Sequence, residues 1–182
     1  EPSEENAAIA TEEFTAESGD VIPNADMSGW SMIGDNANIP YPNAEGSDFW
    51  TSGNNAFTTG LCTDDNGSAK LQPLGLGTIF ACGNIFTGAF VQTGLKGTAS
   101  FGQQFEWAAR PKALRVKYKA EIGAMTTIGT VDPEKDNLVK DESIDKARIY
   151  AVVTDWEERH GVTSGLGVIL EEINPWDPAT QT

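Results

Sequence analysis

Apolar and polar positions alternate with a period of two over residues 114–119, where Leu114, Val116 and Tyr118 stand between Arg115, Lys117 and Lys119. That period puts apolar groups on one sheet face and charges on the other, and predicts a half-buried strand. Over Thr78–Ala81 and Ile85–Phe90 the apolar residues run nearly together, broken by Gly83, Asn84 and Gly88, as in buried strands that bend or carry a bulge. Phe105, Trp107 and Ala109 alternate with Glu106 and Arg110 until Pro111 removes a ladder donor, so that strand ends, bulges or lies at an edge there. Arg148–Trp156, with Ile149, Ala151 and Val153 on one face, reads as a further strand. A short strand is expected near Trp30 and another near Phe14. Beyond Gly161 only Val168–Leu170 has strand character, and the charged stretch between Val131 and Ile144 reads as a long loop.

Between these runs lie 19 glycines and many Asn, Asp, Ser and Thr, the composition of strands joined by turns. No heptad, amphipathic helical pattern or internal repeat interrupts it. The 182 residues suffice for one domain with a sizeable core, so the expectation is an all-β β-sandwich over 21–173. An acidic lead-in or linker at 1–20 precedes it and an irregular tail at 174–182 follows. No apolar run approaches the roughly 18 residues that span a bilayer, and the first residues lack the basic and apolar regions of a signal peptide. The pattern is that of a soluble, processed chain without a transmembrane segment.

Charge then narrows the partners. A net charge of −15 argues against nucleic acid, which requires a cationic surface for counterion release. The one basic concentration, Arg110–Lys119, is explained by the solvated face of a strand, with an anionic ligand such as a sulfated or uronic glycan as the alternative. Cys62 and Cys82 are too few for a four-ligand zinc site and match no redox spacing, and their pairing is left open. Cys82, within an apolar run, also suits a small core residue.

The segments DFWTSGNNAFTTG (48–60), SAKLQ (68–72), TIFACGNIFTGAF (78–90), FGQQFEWAARPKALRVKYKAEIG (101–123) and DKARIYAVVTDW (145–156) occur in this order and spacing. Together they resemble the carbohydrate-metabolism domain family PCMD of Bacteroidetes, over roughly Val21–Trp156. The strongest pieces are Gly83-Asn-x-Phe-Thr-Gly88 and Arg110-Pro-x-x-Leu114, with Asn24–Trp30 resembling the opening strand although Met27 stands where an aromatic residue is expected. The resemblance implies a jelly-roll β-sandwich akin to carbohydrate-binding modules, carried by cell-surface lipoproteins or secreted proteins. It implies extracytoplasmic glycan recognition, with an oligosaccharide or polysaccharide as partner, and no established catalytic residues. Such domains continue for several strands after the one matching Arg148–Trp156. Here only Gly165–Ile173 follows, so the sandwich is shortened, is completed by another segment, or belongs to a longer chain. A missing strand leaves an open sheet edge that invites a protein partner.

Sugar binding calls for flat aromatic rings against the C–H face of a pyranose, beside amides and carboxylates that bond its hydroxyls. Trp50 with Asn54 and Asn55, Trp107 with Glu106 and Arg110, and Trp156 with Asp155 offer that combination. Trp107 also alternates with apolar partners, the pattern of a core residue, and Trp176 belongs to the tail. A glycosidase needs two carboxylates about 5 to 9.5 Å apart, for which Glu106 and Asp155, beside Trp107 and Trp156, are the candidates. His160, the only histidine, has no nucleophile elbow with it and reads as a loop residue. Asp64, Asp65 and Asn66 before Gly67 are hard oxygen ligands suited to calcium but lack EF-hand spacing, and a plain Asx-Gly turn is the favoured reading, with calcium left unassigned. No other cofactor is expected.

Overall fold

The structure is a computed structural model describing residues 22–76, 79–104, 113–127, 137–166 and 168–176. Among these residues all regular structure is β and all pairing is antiparallel. The strands are β1 (Ser31–Ile33), β2 (Ile39–Tyr41), β3 (Trp50–Thr51), β4 (Cys62–Asp64), β5 (Ala69–Leu71), β6 (Leu74–Leu76), β7 (Ile79–Ala81), β8 (Phe86–Thr93), β9 (Lys96–Phe101), β10 (His160–Gly165) and β11 (Val168–Ile173). The main sheet has the order β11-β10-β9-β8-β3, and β1-β2, β4-β5 and β6-β7 are separate two-stranded ribbons.

Turn chemistry sets the register of the main sheet. Thr93 pairs with Lys96 across the two-residue connection Gly94-Leu95, and Gly94, at φ 60°, supplies the positive dihedral that a II′ hairpin needs at its first central position. Phe86 and Phe90 lie on the half-buried face while Ala89 and Val91 are exposed, which fulfils the period of two. Gly88 sits between them at φ 134°, where a Cβ would collide with the Ser100 carbonyl oxygen. On the same face Phe101 packs 4.7 Å from Phe86 and stacks 5.3 Å from the ring of His160. His160 therefore opens β10 and is not a loop residue. Its Nδ1 lies 2.9 Å from the Asn174 carbonyl, which can only accept, so Nδ1 carries the proton.

Apolar burial is sparse: among the described residues only Leu61 and Cys62 are fully buried hydrophobes. Asparagine side chains do much of the organising instead. Buried Asn43 bonds both the backbone N–H and the carbonyl of Trp50, imitating a ladder pair at the start of β3. Asn24 takes the Gly29 N–H at 2.7 Å and donates to the Gly29 and Pro42 carbonyls, and Asn84 takes the Gly53 N–H at 2.7 Å. Each bond satisfies a backbone group that a loop would otherwise leave unpaired.

Two expected strands are absent. Residues 114–119 and 148–156 belong to no strand, and Leu114, Val116, Tyr118, Ile149 and Val153 are exposed. Alternation selects an extended chain, but a strand also needs a partner, and among the described residues the pairing next to these segments is a single bridge from Ala124 to Ile144. Conversely, β9 and β10 form where no strand was expected, and Val168–Leu170 extends to Ile173. β11 is the edge of the main sheet and is exposed along its full length. The lead-in with Phe14 and the stretch carrying Glu106, Trp107 and Arg110 lie outside the described residues.

Candidate functional site

Asn43 helps to shape one concavity among the described residues. By clamping Trp50 it draws the connection from β2 to β3 against the sheet, which brings Ser47 and Asp48 opposite Gly88–Phe90 of β8. The resulting cleft, about 650 Å³, is closed by Tyr41 at the end of β2 and by Gln103 and Arg159 on the far side. Gln103 couples the walls: its Nε2 donates to the Asp48 carbonyl at 2.9 Å and its Oε1 accepts from Arg159 Nη2 at 2.9 Å. A neighbouring cleft of about 520 Å³ contains Trp30 and Glu45 and shares Tyr41 and Ser47 with the first. The Trp30 indole is held by its N–H bond to the Met27 carbonyl at 2.8 Å.

The groups lining the cleft can both donate and accept hydrogen bonds. Burial, and then the nearby Asp48 carboxylate, push the Tyr41 phenol above its ordinary value, so it stays protonated and can donate at neutral pH; the Asn43 side chain opposes this only in part. Asp48 accepts, and Arg159 and Gln103 carry donors, so both hydrogen-bonding senses meet beside the ring of Tyr41. Among the described residues lining this cleft Asp48 is the only carboxylate.

The residues expected from sequence fare differently. Trp50 is half-buried, its indole N–H donates to the Pro23 carbonyl at 2.7 Å, and Phe49 meets it edge-on at 5.5 Å. Asn54 donates to the Pro40 and Cys62 carbonyls at 2.9 and 2.6 Å and accepts the Leu61 and Cys62 N–H groups at 2.9 and 3.1 Å. Its two donors and two lone pairs are all used, leaving nothing for a sugar hydroxyl. Asn55 is likewise saturated by the Gly53 carbonyl, the Thr58 hydroxyl and the N–H groups of Phe57 and Thr58. Asp155 and Trp156 stand on the exposed 148–156 segment and do not line the cleft. The separation of Glu106 from Asp155, and the setting of Trp107 and Arg110, fall outside the described residues.

Asp64 to Gly67 form the β4–β5 turn, in which Asp64 Oδ1 accepts the Gly67 N–H at 2.8 Å and Asn66 adopts φ 55°. No group of three or more His, Cys, Asp or Glu among the described residues gathers to hold a metal ion. Cys62 and Cys82 are free thiols, the first fully buried with its pKa pushed up to about 12 by desolvation. No helix among the described residues is long and apolar enough to cross a membrane.

Tyr41, Asp48, Gln103 and Arg159 were not foreseen. They come from three separated stretches and form no motif; the one local hint is Pro40-Tyr41-Pro42, where two prolines hold the tyrosine in an extended backbone. Compared with protein-family models, with curated proteins and with solved structures, the chain finds no match.

Proposed function

We propose that this chain is a glycan-binding module acting at the cell surface or as part of a secreted protein, with no catalysis of its own. The observation that carries this reading is the cleft in which the ring of Tyr41 lies beside Asp48 and the Arg159–Gln103 pair. An aromatic surface, an acceptor and a fork of donors around one concavity match a pyranose, which presents C–H groups on its faces and hydroxyls on its rim. The jelly-roll arrangement belongs to this proposal: the main sheet would form one layer and the small ribbons part of the other. Affinity electrophoresis through gels containing soluble polysaccharides tests it. Retardation by at least one polysaccharide, lost in Tyr41→Ala and Arg159→Ala at unchanged thermal stability, supports the reading; equal retardation of both variants would remove the cleft from it.

A second reading, as an assembly subunit, is favoured by one observation. Among the described residues β11 ends the main sheet, and Val168, Ile169, Leu170 and Ile173 on it are exposed. That reading predicts a multimer in solution that Leu170→Pro dissociates, and a wild-type monomer at high concentration would dispose of self-assembly.

A further inference from the structure

The two clefts adjoin at a glycine. Ile33, Tyr41, Gly46 and Ser47 line both the cleft of about 520 Å³ that contains Trp30 and the cleft of about 650 Å³ that contains Asp48. Gly46 belongs to the turn Ala44-Glu45-Gly46-Ser47, closed by the Ser47 N–H on the Ala44 carbonyl at 3.1 Å. Its φ of 83° is the positive dihedral that a type II turn places at its third residue. A Cβ added at Gly46 would meet nothing within 4 Å. Where the clefts share a wall, that wall is therefore bare backbone with open space above it.

We propose that the two clefts form one continuous groove that binds an internal stretch of a linear, neutral glycan, with Trp30 and Tyr41 stacking on different sugars of the same chain. The proposal rests on the glycan-binding reading above and extends it from the Tyr41 cleft to Trp30, Glu45 and Gly46. The register of the β1–β2 ribbon sets Ser31 opposite Tyr41, so Trp30 stands one residue away from the tyrosine's partner. Adjacent strands lie about 4.8 Å apart, and the two aromatic residues are thus near neighbours along the groove. Trp30 is half-buried, and its indole N–H is already used by the Met27 carbonyl at 2.8 Å. The ring is held in place and offers a ligand its face rather than a donor.

Charge selects neutral sugars. Among the described residues each cleft is lined by one carboxylate, Glu45 in the first and Asp48 in the second, and both residues are exposed. A carboxylate accepts from sugar hydroxyls, and such charge-assisted bonds are stronger than neutral ones. The same two groups, on a chain of net charge −15, repel an anionic glycan within the screening distance of about 8 Å. Arg159 stands on the far side of the second cleft with its Nη2 on the Gln103 amide oxygen, and its remaining donors serve hydroxyl and ring oxygens there.

Affinity as a function of ligand length tests the groove on the full chain. The probes are ladders of cello-, xylo-, manno-, malto- and laminari-oligosaccharides from dimer to hexamer, and the readout is the ratio of hexamer to dimer affinity by titration calorimetry. Partial unfolding of a variant lowers both affinities alike and leaves the ratio unchanged, so the ratio reports the groove alone. In the wild type at least one ladder should gain about a hundredfold, roughly tenfold from stacking on Trp30 and roughly tenfold from the charged bond to Glu45. Extra binding registers on a longer chain give only a few-fold gain. Trp30→Ala should reduce the gain to about tenfold, and Trp30→Phe, which keeps a ring, should retain more of it. Gly46→Asn, whose side chain tolerates a positive φ, fills the boundary and should leave only the few-fold gain. A merely few-fold gain in the wild type, or a hundredfold gain that survives in Trp30→Ala or Gly46→Asn, overturns the groove. Dimer binding that is still lost in Tyr41→Ala would then leave the cleft reading intact. Tighter binding of oligogalacturonate than of every neutral ladder overturns the neutral assignment. No binding of any ladder overturns the groove and the glycan-binding reading together.

Discussion

The side chain of Asn54 closes on both backbone groups of Cys62, donating to its carbonyl at 2.6 Å and accepting its N–H at 3.1 Å, as a neighbouring strand would. The same amide reaches Pro40 and Leu61, so one side chain joins the end of β2 to the start of β4. With so few buried hydrophobes, this asparagine contributes more to the fold than to any ligand.

Asn54→Ala should therefore destabilise the protein by about 3–5 kcal/mol, since several buried backbone groups lose their partner at roughly 1–3 kcal/mol each and entering water offsets part of that. Denaturant unfolding measures the loss.

Glycines of the β8–β9 hairpin should separate two physical costs. At Gly94 a Cβ meets nothing within 4 Å, so Gly94→Ala carries only the dihedral penalty of about 1 kcal/mol. At Gly88 the added Cβ also strikes the Ser100 carbonyl, so Gly88→Ala should cost at least about 2 kcal/mol more and raise hydrogen exchange along β9.

How much of this could be read from the chain differs from element to element. β7, β8 and β11 were legible because bulky apolar runs are bounded by Gly or Asn. Lys96–Phe101 and His160–Gly165 were not: Gly, Thr, Ser and Ala dominate them, and the alternation has little amplitude. They are strands because each has a partner on both sides, bonded in one place by Thr98 Oγ1 to Thr163 Oγ1 at 3.0 Å. Asn54 and Asn55 were singled out for the right chemistry and the wrong partner, since an amide that bonds a sugar and one that bonds Pro40 or Cys62 look identical in sequence. The cleft was illegible for the same reason: nothing local links Tyr41 with Gln103 and Arg159.

Thiol titration should find one reactive cysteine. At pH 8 an aromatic disulfide reagent should modify exposed Cys82 in the native protein and reach Cys62 only after unfolding. The Cys62 pKa of about 12 in the fold lies above its ordinary value of 9.0. The folded state thus holds that proton more tightly, and its contribution is complete below pH 9 and lost as pH climbs toward 12. Over that window stability should fall by up to about 1.4 kcal/mol per pH unit, and Cys62→Ala should flatten the slope.

In the cleft, Arg159→Gln should weaken glycan binding about tenfold, the order expected on losing a charged hydrogen bond, with the melting temperature unchanged because Arg159 is exposed. Tyr41→Phe should cost less than Tyr41→Ala, because the ring survives and only its donor is lost; titration calorimetry distinguishes the two.

The glycan-binding claim itself is tested most directly by a glycan array probed with the intact protein. The prediction is concentration-dependent binding to at least one glycan class that is lost in Tyr41→Ala. Absence of signal from any glycan, with the protein shown to be folded, would contradict it.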